Sequence, residues 1–334
     1  MDKVKVGVVG LGWIAQVTHL PLLQKLQDAA LVAVCDRERS KARLVAEKFG
    51  IKRVYTDLGQ MLATEELDAV IVSTSTDAHR EVAVTCLRAG KDVLVEKPIA
   101  RTYAEAAEIS DVAREMKRKV MVGMNHRFRP DTMILKGFIE ANELGKIFYT
   151  RAGWLKQRSN DSTWVTKKEK SGGGVFLDLG IVVLDMALWM MGYPEVKRVN
   201  ATHFSHKTRN VEDTSIVALT LANSLRMNIE VSWSMTVDED HYFCHVFGTA
   251  GSASLNPLRI TKDLNGQVAN LTPTKTEAPQ NLFKRSYENE LKHFLGAVRN
   301  IHPVISTAEE AVQRMKVAEA IYKSARLRKE VVLP

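Results

Sequence analysis

The chain is poor in the residues that cross-link or anchor a protein. Its 3 cysteines, Cys35, Cys86 and Cys244, lie far apart with no CxxC pair, so neither a disulfide framework nor a zinc site is expected, and a reducing, cytoplasmic setting is. It lacks any run of 18 uninterrupted apolar residues, which argues against a membrane span. Only Met1-Asp2-Lys3 precede the first strand-like run, too little for a signal peptide. There is no internal repeat, no low-complexity tract, no P-loop and no G-x-S-x-G elbow. His203 and His206 are three apart, which on a strand puts them on opposite faces, and no carboxylate motif joins them, so no metal centre is expected.

What is present fits a folded protein of two domains. The chain has 334 residues, 45% of them hydrophobic and 26% charged, a balance unlike that of disordered chains and a length beyond what one core usually organises. The net charge of +8 is scattered, its densest clusters being the short stretches 167–170 and 326–329. These read as a solvated loop and a positive helix end. An anionic small substrate is compatible with that charge; a nucleic-acid partner or a membrane surface is not expected.

Residues 1–124 alternate strand-like and helix-like segments: strands at Val4–Val9, Leu31–Cys35, Val54-Tyr55, Ala69–Ser73, Val93–Val95 and Val120–Val122, with helices at 13–28, Ser40–Phe49 (Ser40 as N-cap), 77–89 and 102–117. Such alternation predicts an α/β domain with a parallel, doubly wound sheet. In residues 125–334 the pattern changes. A helix at 177–190 is followed by strand-like runs at Val196–Phe204, Thr214–Leu221, Leu225–Ser234 and Tyr242–Phe247 without helices between them. An α+β domain with an open, mainly antiparallel sheet follows, closed by helices at 285–299 and 307–326 that are free to pack back on the first domain. The Met186, Met190, Met191 and Trp189 patch reads as helix core.

Gly10-Leu11-Gly12-Trp13-Ile14-Ala15 fits G-x-G-x-x-G/A and sits between the first strand and its helix. Gly10 allows the tight turn, Gly12 lets the backbone approach a pyrophosphate at the helix N-terminus, and Ala15 allows close helix–sheet packing. Asp36 ends the second strand, where a carboxylate accepts from the adenine ribose hydroxyls of a dinucleotide. It favours NAD; Arg37 beside it, able to pair with a 2′-phosphate, leaves NADP open.

Four stretches together carry a resemblance that covers essentially the whole chain: this glycine motif; Ser73-Thr74-Ser75-Thr76-Asp77-Ala78-His79; Glu96-Lys97-Pro98; and Gly172-Gly173-Gly174 followed by Asp178-Leu179-Gly180 and Asp185. With Tyr287, Glu290 and Phe294 and the final Glu319–Ala325 helix, they make the chain similar to the glucose–fructose oxidoreductase / inositol dehydrogenase (Gfo/Idh/MocA) family. The resemblance implies an NAD(P)-dependent oxidoreductase that moves a hydride between nicotinamide and a secondary alcohol or ketone of a sugar, inositol or related polyol. It implies Lys97 near nicotinamide and substrate hydroxyl, Glu96 on the nicotinamide ribose side, and a cis peptide before Pro98. Ser73, Thr74, Ser75 and His79 would lie along the cofactor, with His79 either capping the next helix or merely packed, and Asn125 would lie near the nicotinamide amide. A homodimer or homotetramer through the C-terminal sheet is also implied.

The family pattern D-x-G-x-H-x-x-D is broken here, because Val182 stands where the proton-transferring His is expected. General acid–base help of that kind is worth about 10²–10⁴-fold. Three readings stay open. Lys97 assisted by Asp178 moves the proton; or His126, Tyr149 or His241 reaches the site; or the chain binds cofactor without turnover, as a sensor or regulator. A branch that uses bound NAD transiently in glycoside cleavage is a further alternative. Asp185, mid-helix among apolar residues, reads as a buried hydrogen-bonding group. Gly172–Gly174 reads either as a flexible loop over substrate or as a connector.

Overall fold

The computed structural model describes residues 2–157 and 164–333. The chain divides into two compact units, one built from Met1–Asn125 with Lys284–Gln313, the other from His126–Phe283 with Arg314–Pro334. In the first, β1 (Val4–Val9) leads through a wide π-helical turn, Ala15–His19, into α1 (Leu20–Lys25). Then follow β2 (Ala29–Cys35), α2 (Arg39–Phe49), β3 (Arg53–Tyr55), α3 (Leu58–Thr64), β4 (Ala69–Val72), α4 (Thr76–Arg88), β5 (Asp92–Glu96), α5 (Tyr103–Glu115) and β6 (Val120–Gly123). The six strands lie in the order β3-β2-β1-β4-β5-β6, and every pairing is parallel. Strand order reverses between β1 and β4, so a crevice opens at their carboxyl ends, the usual ligand position in such sheets. The central strands are apolar on both faces because helices cover both, and β4 is buried along its whole length.

Local chemistry adjusts the predicted boundaries. The first helix is shorter than 13–28, because its opening turn is widened and Leu26 is already extended. Ser40 is not the N-cap of α2; Glu38 holds that place. The turn near Asp57 is the start of α3, whose Gln60 N–H donates to the Asp57 carboxylate. That helix is one short amphipathic stretch that periodicity did not isolate.

The second unit begins with α6 (Pro130–Glu140), β7 (Ile147–Leu155) and α7 (Lys168–Ser171), and a second π-helical turn, Phe176–Gly180, runs into α8 (Ile181–Met190). Next come β8 (Val196–Phe204), β9 (Thr214–Leu221), β10 (Arg226–Ser232), β11 (His241–Gly248), β12 (Gly251–Leu255), β13 (Arg259–Leu264) and β14 (Gln267–Asn270). The chain closes with α9 (Pro279–Val298), α10 (Ala308–Leu327) and β15 (Val331–Val332). The nine strands are ordered β14-β13-β12-β11-β7-β10-β9-β8-β15. All pairings are antiparallel except β7 with β10, so the sheet is mixed rather than purely antiparallel.

One face of this sheet, with Val217, Leu219, Met227, Ile229, Val231 and Val246, is buried. Helix α8 packs against β7, β10 and β11 and is apolar all round, with Met186 and Met190 in the core. The segment Lys168–Met190 is long and apolar enough to cross a membrane by length and composition, but 89% of its apolar window is buried inside the protein. That burial is what an all-round apolar core helix requires.

Candidate functional site

The glycine turn is built by contacts that only glycine permits. Gly10 has φ +87°, and a Cβ there would lie 2.6 Å from the Ser73 carbonyl and the Thr74 nitrogen. The β1 and β4 ends are thereby drawn together, and the Ser73 N–H donates to the Val9 carbonyl at 2.8 Å. Around Gly12 a Cβ would meet only the Ser73 oxygen, at 4.0 Å, so the backbone can be approached closely from outside. Leu11 and Ala15 are buried, Ile14 is half-buried, and Trp13 is 69% exposed beside the turn.

Asp36 is tied to this turn. Its Oδ2 accepts from the Leu11 N–H at 2.8 Å and pairs with the Lys41 ammonium at 2.7 Å; its Oδ1 accepts from the Glu38 N–H at 3.0 Å. Burial alone would raise the carboxyl, but these donors hold it below the usual range, so it carries a full charge. Arg37 is exposed. Ser75 stands at the N-cap position of α4 with its hydroxyl turned to Asp77, 2.5 Å away. A glycine-only turn, an approachable helix start and an ionised strand-end carboxylate are the donor and acceptor set a dinucleotide needs, so NAD fits these residues.

Glu96 ends β5 and Lys97 follows it, and the Lys97–Pro98 peptide is cis. Lys97 is half-buried rather than on open surface. Glu96 is 7% exposed and its Oε1 meets His19 Nε2 at 2.7 Å. Burial raises the Glu96 carboxyl, but the His19 hydrogen bond and charge, with Lys97 and His79 behind them, outweigh it and keep it ionised. His79 does not cap α4, and it is more than a packing residue. Its Nδ1 meets the Pro98 carbonyl at 2.9 Å and its Nε2 the Thr74 carbonyl at 3.1 Å, which ties the two loops together. Burial lowers its pKa against both carbonyls, so the neutral ring donates to one of them at a time. The Asn125 amide donates to Ser286 Oγ at 2.9 Å.

In the second unit Asp178 is half-buried within the Phe176–Gly180 turn, and its N–H donates to the Gly174 carbonyl at 3.2 Å. The glycines before it are closely packed. A Cβ on Gly173 would collide with the Tyr322 hydroxyl and one on Gly174 with the Glu212 carbonyl. Glu212 accepts from the Gly174 and Phe176 N–H groups at 3.0 Å and from Tyr322 at 2.7 Å. Asp185 accepts from Arg127 at 2.6 and 2.8 Å, from Arg314 at 2.6 Å and from Tyr193 at 2.7 Å, all deep in the unit. It is a structural ion-pair centre, set apart from the half-exposed Asp178.

Val182 is 4% exposed and packs as an ordinary apolar residue of α8. Of the residues considered in its place, Tyr149 and His241 pair with Phe247 and Leu155 on the open face of the sheet, opposite the buried face where α8 packs. His126 lies inward, its ring 5.1 Å from that of Trp154 and 4.7 Å from that of Tyr242. Sequence reasoning passed over His19, Lys41, Glu212 and Arg127. The signal for His19 was a titratable ring in the helix directly after the glycine motif, next to the apolar stretch Leu20–Leu23.

Two profiles match the chain: "Oxidoreductase family, NAD-binding Rossmann fold" over residues 4–124 and "Oxidoreductase family, C-terminal alpha/beta domain" over residues 136–333. The chain is 32% identical to D-glucoside 3-dehydrogenase of Escherichia coli, covering 97% of this chain and 96% of that protein. It is 26% identical to myo-inositol 2-dehydrogenase of Thermotoga maritima, covering 98% of each. Among solved structures, levoglucosan dehydrogenase with NADH and levoglucosan superposes with a TM-score of 0.90 at 20% identity, covering 100% of both chains, which is a likeness of fold.

Proposed function

The chain belongs to the glucose–fructose oxidoreductase / inositol dehydrogenase family, and on that premise we propose that it oxidises a secondary ring hydroxyl of a sugar or glycoside, or reduces the matching ketone. It is an NAD-dependent dehydrogenase acting on the CH–OH group of a sugar or polyol. The glucoside reading takes its substrate class from the whole-chain similarity to the D-glucoside enzyme. Bound NAD supplies the hydride acceptor.

The observation that carries the reading is the Glu96-Lys97-Pro98 turn, which holds the half-buried Lys97 just after a strand of the parallel sheet and next to a buried, ionised carboxylate. Lys97, acting as the unprotonated amine, accepts a hydrogen bond from the substrate hydroxyl and takes its proton as the alcohol is oxidised; the ammonium so formed returns the proton in the reverse reduction. Asp36 accepts from the adenosine ribose and repels a 2′-phosphate, which favours NAD over NADP.

Nicotinamide absorbance with a panel of glucosides, free sugars, inositols and sugar acids tests this. Turnover of a glucoside by the wild type is the expected result; turnover only of an inositol or a sugar acid replaces the glucoside reading. Replacing Lys97 by Met is expected to lower turnover by about 10²–10⁴-fold while the NAD dissociation constant, read from protein fluorescence, changes little. Normal turnover by that variant would remove Lys97 from the reaction.

A further inference from the structure

One buried acid has no part in the reaction described above. Glu290, on α9, is 0% exposed, and neither of its carboxyl oxygens has a hydrogen-bond partner among the described residues. The charge of Glu96 acts on it. One turn earlier on the same helix, Tyr287 packs edge-on against His19, the rings 6.0 Å apart. His19 is itself 0% exposed, and its Nδ1, the nitrogen not used on Glu96, is also without a partner among the described residues.

The charges in this pocket do not balance two carboxylates. Glu96 has His19 at 2.7 Å and Lys97 beyond it. Among the described residues no cation hydrogen-bonds to Glu290. Of two buried carboxyls, one hydrogen-bonded and the other with no partner among the described residues, the unpartnered one keeps its proton. We propose that Glu290 works as an uncharged carboxylic acid and is a positioning residue for the Glu96-Lys97-Pro98 turn: by staying neutral it confines the buried negative charge to Glu96, the carboxylate that holds the turn. Ionising Glu290 sets a second charge beside Glu96 and draws the pair apart. This rests on the reading of Lys97 as the proton-handling group, but its tests need no substrate.

The titratable groups around Glu290 are Glu96 on β5, His19 before α1 and Tyr287 on its own helix, with Lys97 and His79 acting on Glu96. His293, one turn further along α9, stacks on His302 at 4.1 Å. Burial, with the Glu96 charge added, pushes the Glu290 carboxyl well above the usual range. Between the ordinary glutamate value and that raised value the folded protein holds a proton that the unfolded chain has lost, so stability falls as pH rises through this window.

The experiment compares wild type with Glu290→Gln, which keeps the shape and cannot ionise. Thermal unfolding from about pH 5 to about pH 8 is expected to show the Gln variant gaining on the wild type by several degrees as pH rises; a difference that does not change with pH overturns the proposal. NAD affinity, followed by fluorescence, is expected to weaken towards alkaline pH in the wild type and not in the variant. Infrared spectroscopy of the wild type gives a second measurement should the variant fold poorly. A buried protonated-carboxyl band at about pH 7 supports the assignment, and its absence overturns it. Normal turnover by the Lys97 variant would sink the catalytic reading while leaving these signatures of Glu290 in place, so the two failures are distinguishable.

Discussion

At the scale of single residues, Asp36 does two jobs with one carboxylate. It closes the glycine turn through the Leu11 N–H and presents an ionised acceptor at the end of β2. Its Oδ2 also holds the Lys41 ammonium, so a ribose must share this carboxylate with a cation already on it. Replacing Asp36 by Ala removes the acceptor and frees Lys41 and Arg37 to meet a phosphate. NAD affinity measured by calorimetry is then expected to weaken by roughly 10- to 100-fold, the equivalent of one or two charged hydrogen bonds. NADP affinity is expected to weaken less or to rise, because the repulsive charge has gone. Equal losses for both cofactors would show that Asp36 serves the turn alone. Asp36 was legible in the sequence because strand end, spacing and residue type coincide. Lys41 was not, since one lysine in a basic helix start carries no distinguishing pattern.

At the scale of elements, the strands and the glycine turn could be read because both have short-range causes. β1, β8 and β9 are recognisable from apolar runs or alternation, with bounds matching those read from the sequence. The two π-helical turns could not be read, because a widened turn shares its composition with ordinary helix. They fall at Ala15–His19 and Phe176–Gly180, and so set the positions of His19 and Asp178. The Asp185 ion-pair centre was legible only in part. A carboxylate in the apolar helix α8 implied buried partners, but Arg127 and Arg314 lie 58 and 129 residues away in sequence. Burial raises the Asp185 carboxyl, yet the charges of Arg127 and Arg314 and their hydrogen bonds prevail and hold it low. Its contribution is therefore complete above the ordinary aspartate value and lost as pH falls towards the folded one. Asp185→Asn leaves two buried guanidinium groups facing each other without their shared anion. A loss of about 3–5 kcal/mol is expected in urea unfolding followed by circular dichroism. A loss below about 1 kcal/mol would mean that the two arginines find other partners.

At the scale of the whole molecule, the nine-stranded sheet of the second unit has one face buried and one open. Register places Thr202, Ile216, Glu230, Gly153 and Phe243 in one row across the open face, and Asn200, Ala218, Asn228, Arg151 and His245 in the next. Part of that face is already committed. Arg151 pairs with Glu230 at 2.7 Å and lies 5.4 Å from the Phe243 ring, and Tyr149 stacks on Phe247 at 5.4 Å. Ile216 is 47% exposed in the middle of it, next to Ala218 and Phe204. A broad, flat sheet face with apolar side chains and locally satisfied charges is the kind of surface that pairs with another copy, since association there buries apolar area without stranding a charge. We therefore expect a mass by light scattering that is a multiple of 37.4 kDa. Ile216→Glu would bury an unpaired carboxylate in such an interface, which costs several kcal/mol and shifts the equilibrium towards monomer by at least about 100-fold. Each unit carries its own core, so the variant should keep the circular dichroism of the wild type while its mass falls. A wild-type mass of one chain at micromolar concentration would assign the open face to solvent or to a different partner.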